Sequence, residues 1–132
     1  MSGVFVDTSA LLALLNPRDD LHGRARRSFE ALRKREAILV TSSYVLVETY
    51  ALVGRRLGLA AVRAFRGDVA PLLDVEWVDE TVHEQALDLV LGRDRRSLSL
   101  TDAASFVLMR RRGIEEAFAF GRHFAEEGFG LV

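Results

Sequence analysis

The segment Val4-Phe5-Val6-Asp7-Thr8-Ser9 sets the reading of the whole chain. Two β-branched residues around a phenylalanine make a short run with no polar face, the mark of a strand buried on both sides. The run stops at an aspartate. Thr8 to Leu15 then follows as a compact apolar helix, closed by Asn16-Pro17. A buried strand feeding straight into a helix begins a β–α–β unit. The alternation recurs downstream. Residues 18–20 form a loop and a candidate cap for an amphipathic helix from Leu21 to about Arg35. Ala37 to Val40 reads as a second strand. Thr41-Ser42-Ser43 offers cap hydroxyls for a helix to about Leu57, although Tyr44 to Val47 also suits a buried strand. Beyond Gly58, residues 59–73 carry a helical pattern interrupted near Gly67 and Pro71. Val75 to Val78 reads as a third strand, and Asp79 can cap a helix from Glu80 to about Leu91. A charged loop, Gly92 to Ser97, leads to a helix from Thr101 to Arg112 that Gly113 ends. Ala117 to Phe120 is a fourth strand, Arg122 to Glu127 at most two helical turns, and Phe129 to Val132 a final short strand. Helices join the strands and no hairpin signal does, so the predicted fold is α/β: one domain over residues 1–132, with a mostly parallel four- to five-stranded sheet flanked by helices.

Composition narrows the chemistry. The chain has 132 residues, with 18 lysines and arginines against 19 acidic residues, a net charge of −1. That balance excludes a polybasic protein that coats nucleic acid by bulk charge, and leaves only local basic patches for such a partner. Cysteine is absent, which excludes disulfides, thiolate metal sites and a cysteine nucleophile. The start lacks a charged segment followed by a long apolar one, and apolar runs such as Ala10 to Leu15 fall far short of the roughly 18 residues that span a bilayer. The expectation is a cytoplasmic protein with no membrane partner.

Three carboxylates fall where parallel α/β sheets gather function, at the C-terminal ends of strands. Asp7 ends the first strand; its plain reading is a helix cap, its functional one a carboxylate over the crevice. Glu48 has Tyr44, Val45, Ala51 and Leu52 as helical neighbours, so it needs a partner, either an arginine or a cation. Asp102 completes a Ser99-Leu-Thr-Asp102 capping box, which explains it structurally when taken alone. Together, the three can converge on one crevice as a hard oxygen site suited to Mg²⁺ or Mn²⁺. Their mutual repulsion is naturally relieved by a divalent ion. His22, His83 and His123 are scattered, and the first two read as exposed helix residues.

These segments resemble a known family. Val-Phe-Val-Asp7-Thr-Ser-Ala-Leu-Leu-Ala-Leu is similar to the opening of a PIN domain. Thr-Ser-Ser-Tyr-Val-Leu-Val-Glu48-Thr resembles its second acidic motif and Ser99-Leu-Thr-Asp102-Ala-Ala-Ser-Phe its third. Ala-Phe-Ala-Phe-Gly121-Arg-His-Phe-Ala-Glu-Glu-Gly-Phe resembles its C-terminal motif. The order and spacing extend over nearly the whole chain and are nearest to the VapC-like toxins. The resemblance implies a metal-dependent endoribonuclease, the toxin of a toxin–antitoxin pair. Asp7, Glu48 and Asp102 would be catalytic and hold one or two Mg²⁺ or Mn²⁺ ions. Ser9 would orient Asp7 or touch a phosphate, and Thr101 could do the same beside Asp102. Water would attack the phosphodiester and leave a 5′-phosphate and a 3′-hydroxyl. The departure is Gly121, which stands where the C-terminal motif usually carries an aspartate. It favours an alternative, a PIN scaffold with impaired nuclease activity that binds RNA or protein.

RNA needs a basic path into an acidic crevice. Arg18, Arg24, Arg26 and Arg27, the group Arg93, Arg95 and Arg96, and Arg110 to Arg112 with Arg122 are the candidates. The Arg93–Arg96 loop is preferred as the substrate-binding segment because it leads into Ser99 and Asp102. The apolar surface of the second and third helices predicts a homodimer and an antitoxin that covers a groove with an apolar helix. A receiver-like phosphoacceptor lacks its acidic pair and its lysine, and an Asp-x-Asp phosphatase fails because Thr8 and Ser9 follow Asp7.

Overall fold

The computed structural model describes residues 3–132. Strand β1 (Val4–Val6) is buried throughout and runs into helix α1 (Thr8–Leu15), as the apolar run predicts. Helix α2 (His22–Lys34), strand β2 (Leu39–Ser42) and helix α3 (Ser43–Leu57) follow. Tyr44 to Val47 is therefore helical: Ser42 Oγ accepts from the Val45 N–H at 3.1 Å and starts α3. Helix α4 (Leu59–Ala64) widens into a π turn over Phe65–Val69 and tightens into a 3₁₀ turn over Ala70–Leu72, which accounts for the broken pattern around Gly67 and Pro71. Strand β3 (Asp74–Glu76), helices α5 (Glu80–Arg93) and α6 (Leu100–Arg112), strand β4 (Glu116–Phe118), helix α7 (His123–Glu126) and strand β5 (Gly130–Leu131) complete the chain. Gly113 takes a left-handed φ of 68° and terminates α6 as expected.

The second and third strands are displaced from their expected bounds, each for a visible reason, and the fourth and fifth are shorter than expected, the fourth ending at Phe118. The second extends past Val40 because the Thr41 hydroxyl donates to the Val6 carbonyl at 2.7 Å, so a polar residue is satisfied inside the sheet. The third ends before Trp77 because Ser43 Oγ captures the Val78 N–H at 2.9 Å. The expected cap in residues 18–20 is also different. Asp19 accepts from the Leu21 N–H at 2.8 Å in a turn ahead of α2, and α2 itself has no side-chain cap.

The sheet order is β3-β2-β1-β4-β5 and every neighbouring pair is parallel. From β1 the chain moves to one side through β2 and β3, then returns to the other side at β4. The gap above β1 and β4 is thus the topological switch point, where open parallel sheets leave a crevice. Asp7 follows β1 and Gly121 follows β4, so both border it. Phe5, Phe106 and Phe124 are buried against one another, with Phe106 and Phe124 ring centroids 5.0 Å apart. That packing fixes α7, and with it the segment after β4. Among the described residues, no helix is long and apolar enough to cross a membrane.

Candidate active site

Asp7 is buried at the end of β1, where its N–H donates to the Phe118 carbonyl at 3.0 Å. Its carboxylate caps α1 by accepting from the Ser9 N–H at 3.1 Å, and also accepts from the Ser9 hydroxyl at 2.6 Å. The cap reading and the crevice reading are therefore compatible. Ser9 Oγ in turn accepts from the Phe120 N–H at 2.9 Å. One hydroxyl ties the acid on β1 to the chain leaving β4. No local pattern signals this link, which joins residues 111 positions apart.

Asp102 lies in the first turn of α6, half-buried, with its N–H donating to Ser99 Oγ at 3.0 Å. The predicted cap is thus present. Burial pushes the Asp7 carboxyl above its ordinary range, the Ser9 hydrogen bonds oppose this, and the charge of Asp102 adds to the rise. Burial likewise raises Asp102; Ser99 and the His123 imidazole oppose the shift, and the Glu48 charge adds to it. The charge of Asp102 thus acts on Asp7, and that of Glu48 on α3 acts on Asp102. Glu48 is half-buried and, among the described residues, has no arginine or lysine partner; neither have Asp7 and Asp102. Thr49, the next residue, donates to the Thr8 hydroxyl at 3.4 Å and fastens α3 to α1. Thr101 is half-buried beside Asp102, and its carbonyl accepts from the Ser105 hydroxyl at 2.9 Å.

Among the described residues, no three His, Asp or Glu side chains gather closely enough to cage a metal ion unaided. The expected three-carboxylate nest is therefore open, not closed. The donor set still fits Mg²⁺ or Mn²⁺. Such ions bind through one or two carboxylates and keep waters and substrate phosphates as their other ligands. One buried and one half-buried acid, with no arginine or lysine ion-paired to either among the described residues, suit that chemistry.

The predicted basic loop is occupied elsewhere. Arg93, at the end of α5, forms an ion pair with Glu127, and Arg110 joins the same carboxylate at 2.7 Å. Arg95 pairs with Glu126 at 3.3 Å. These contacts hold the loop to α7 and commit Glu126 and Glu127 away from the crevice. Arg96 is exposed. The histidines also depart from expectation: both His22 and His83 are half-buried. His22 Nδ1 donates to the Ala13 carbonyl at 2.9 Å, and His83 bonds the Tyr44 hydroxyl. Gly121 has φ 89°, and nothing among the described residues lies within 4 Å of where a Cβ would stand.

The PIN domain profile matches residues 4–129. The chain is 39% identical over 127 residues to the 23S rRNA-specific endonuclease VapC20 of Mycobacterium tuberculosis, across 96% of this chain and 95% of that one. The crystal structure of Mycobacterium tuberculosis VapC20, described as a Sarcin-Ricin loop cleaving toxin, superposes with a TM-score of 0.85 at 37% identity, covering 96% of each chain. A DNA-bound VapBC structure from Salmonella typhimurium shares the fold, with a TM-score of 0.71 at 16% identity over 100% of this chain and 98% of that one. With the motif order, the parallel sheet and the acids at its switch point all in agreement, the chain belongs to the PIN domain family.

Proposed function

We propose that the protein is an endoribonuclease dependent on Mg²⁺ or Mn²⁺, acting on structured ribosomal RNA as the toxin of a toxin–antitoxin pair. The observation that carries this reading is the pairing of buried Asp7 with half-buried Asp102, each raised by burial and by a neighbouring carboxylate, with no lysine or arginine ion-paired to them among the described residues. The 39% identity to an rRNA-specific endonuclease supports RNA as the substrate class.

Asp7 and Asp102 would hold the ion, with Glu48 at its flank. When bound, the ion supplies activation of water and stabilisation of charge on the attacking and leaving oxygens. Ser9 fixes the Asp7 carboxylate with two hydrogen bonds and so aims its remaining lone pairs. Ser99 does the corresponding work for the first turn of α6, which carries Asp102 and Thr101. Hydrolysis adds water across the P–O bond, leaving a 5′-phosphate on one fragment and a 3′-hydroxyl on the other. No side-chain nucleophile is needed. Exposed Arg96 and half-buried Thr101 would meet substrate, whereas Arg93 and Arg95 hold their loop through Glu127 and Glu126. Exposed Val47 on α3 and Leu59 on α4 are apolar side chains suited to a second copy or to an apolar helix of an antitoxin.

Gly121 supports a second reading, a scaffold with impaired cleavage. One assay separates the two. Structured RNA is incubated with the wild type, Asp7→Asn, Asp102→Asn and Gly121→Asp, each with and without Mn²⁺. The nuclease reading predicts Mn²⁺-dependent cleavage by the wild type, reduced at least about 10³-fold in both Asn variants. Cleavage only by Gly121→Asp establishes the scaffold reading.

A further inference from the structure

The arginine that the structure ties to the crevice is on α2, not in the loop before α6. The Arg24 guanidinium lies over the Phe120 ring, 5.6 Å from its centroid. Phe120 is the residue whose N–H is held by Ser9 Oγ, and Ser9 holds Asp7. His22, two residues before Arg24, is anchored on the Ala13 carbonyl, so the first turn of α2 is fixed against α1. Among the described residues Arg24 has no acidic partner, unlike Arg93, Arg95 and Arg110. Gly121, which follows Phe120, adds no side chain to the space beside it.

A guanidinium held over an aromatic ring by its charge spends none of its N–H groups on an acid. Among the described residues its N–H groups are without an acidic partner, and their fork matches two phosphate oxygens. A polyanion entering a crevice lined by carboxylates also needs a positive contact at the rim. We propose that Arg24, seated on Phe120, is a phosphate-binding subsite for the RNA backbone beside the Asp7–Asp102 pair. This rests on the ribonuclease reading for the identity of the polyanion, but not for the subsite itself.

The test measures binding of an RNA stem-loop to the Asp7→Asn protein across a range of KCl concentrations. Adding Arg24→Gln should weaken binding roughly tenfold. It should also reduce the slope of log K against log salt by about 0.7–0.9, the contribution of one phosphate. Arg24→Lys should restore the slope but not the full affinity, because the charge returns without the fork. Arg33→Gln, in the last turn of α2 at the opposite end of the helix from Arg24, should leave the slope unchanged. An unchanged slope in Arg24→Gln, an equal effect of Arg33→Gln, or no salt-dependent RNA binding by the parent overturns the subsite. A wild type that cleaves no RNA while Arg24→Gln still lowers the slope would defeat the hydrolase reading and leave the subsite standing. Normal metal-dependent cleavage with an unchanged slope would do the reverse.

Discussion

Two clusters of buried acid in this molecule are built on opposite terms. Glu127 is inside, with a side chain only 7% exposed, and Arg93 and Arg110 close on its carboxylate. Burial works to raise its pKa, but the hydrogen bonds and charges of the two arginines outweigh that and hold it below the ordinary range. Asp7 and Asp102 are also withdrawn from water, yet other carboxylates act on them and no arginine does among the described residues, so both are raised. The first cluster is complete within the chain and fastens α5, α6 and α7 together. The second is left in deficit of positive charge. Compensation inside the fold marks a structural acid, and its absence marks one that awaits something from outside.

The largest separation between the two should come from Glu127→Gln. Removing a charge that two arginines share should lower stability by about 2–3 kcal/mol at pH 7, and the Tm by roughly 5–10 °C. Because the folded-state pKa of Glu127 is depressed, its contribution is present above the unfolded value of 4.5 and is lost as the pH falls through the lower folded value. Thermal unfolding from pH 7 down to 3 should therefore show the variant and the wild type converging. A full destabilisation persisting at pH 3 would mean that packing, not charge, is what Glu127 supplies.

Ser9→Ala should have an intermediate effect and act on the other cluster. It removes the hydroxyl that donates to Asp7 and orphans the Phe120 N–H. A stability loss of about 1–2 kcal/mol should accompany a drop in cleavage of roughly tenfold, with Ser9→Thr recovering most of both. If Ser9→Ala loses stability but cleaves normally, Ser9 is only a cap.

The smallest effect should have the opposite sign. Asp7→Asn keeps a capping oxygen for the Ser9 N–H while removing a buried charge. The folded-state pKa of Asp7 is raised, so its ionised form costs stability above the unfolded value of 3.8. In the absence of divalent ions the variant should have a higher Tm at pH 7, and the advantage should disappear as the pH is lowered toward 3.8. A variant less stable than the wild type at pH 7 in EDTA would erase the contrast with Glu127.

The legible parts of this architecture are the local ones. The run Val4-Phe5-Val6 followed by Asp7 gives a buried strand and the acid at its end without reference to any other residue. Ser99-Leu-Thr-Asp102 gives the start of α6 in the same way. Glu48 could be placed on a core-facing helix, because its neighbours at helical spacing are apolar. The clasp on Glu127 was out of reach, since Arg93, Arg110 and Glu127 form no pattern along the chain and meet only because α5, α6 and α7 pack together. The charged stretch 93–96 thus looked like a path for RNA, yet two of its arginines are held by Glu126 and Glu127. The bridge from Asp7 through Ser9 to Phe120 depends on β1 and β4 being neighbours in the sheet, a pairing that the sequence leaves open. The Ser42 cap on the Val45 N–H is local and legible, whereas Thr41, read as another cap hydroxyl, belongs to β2 because its partner, the Val6 carbonyl, is reached only in the assembled fold.

Counting Mn²⁺ by electron paramagnetic resonance in wild type, Asp7→Asn and Glu127→Gln addresses the contrast most directly. Saturable binding by the wild type and by Glu127→Gln, abolished in Asp7→Asn, is the expected result. Equal binding by Asp7→Asn and wild type, or loss of binding in Glu127→Gln alone, would place the ion away from the switch-point crevice and contradict the account.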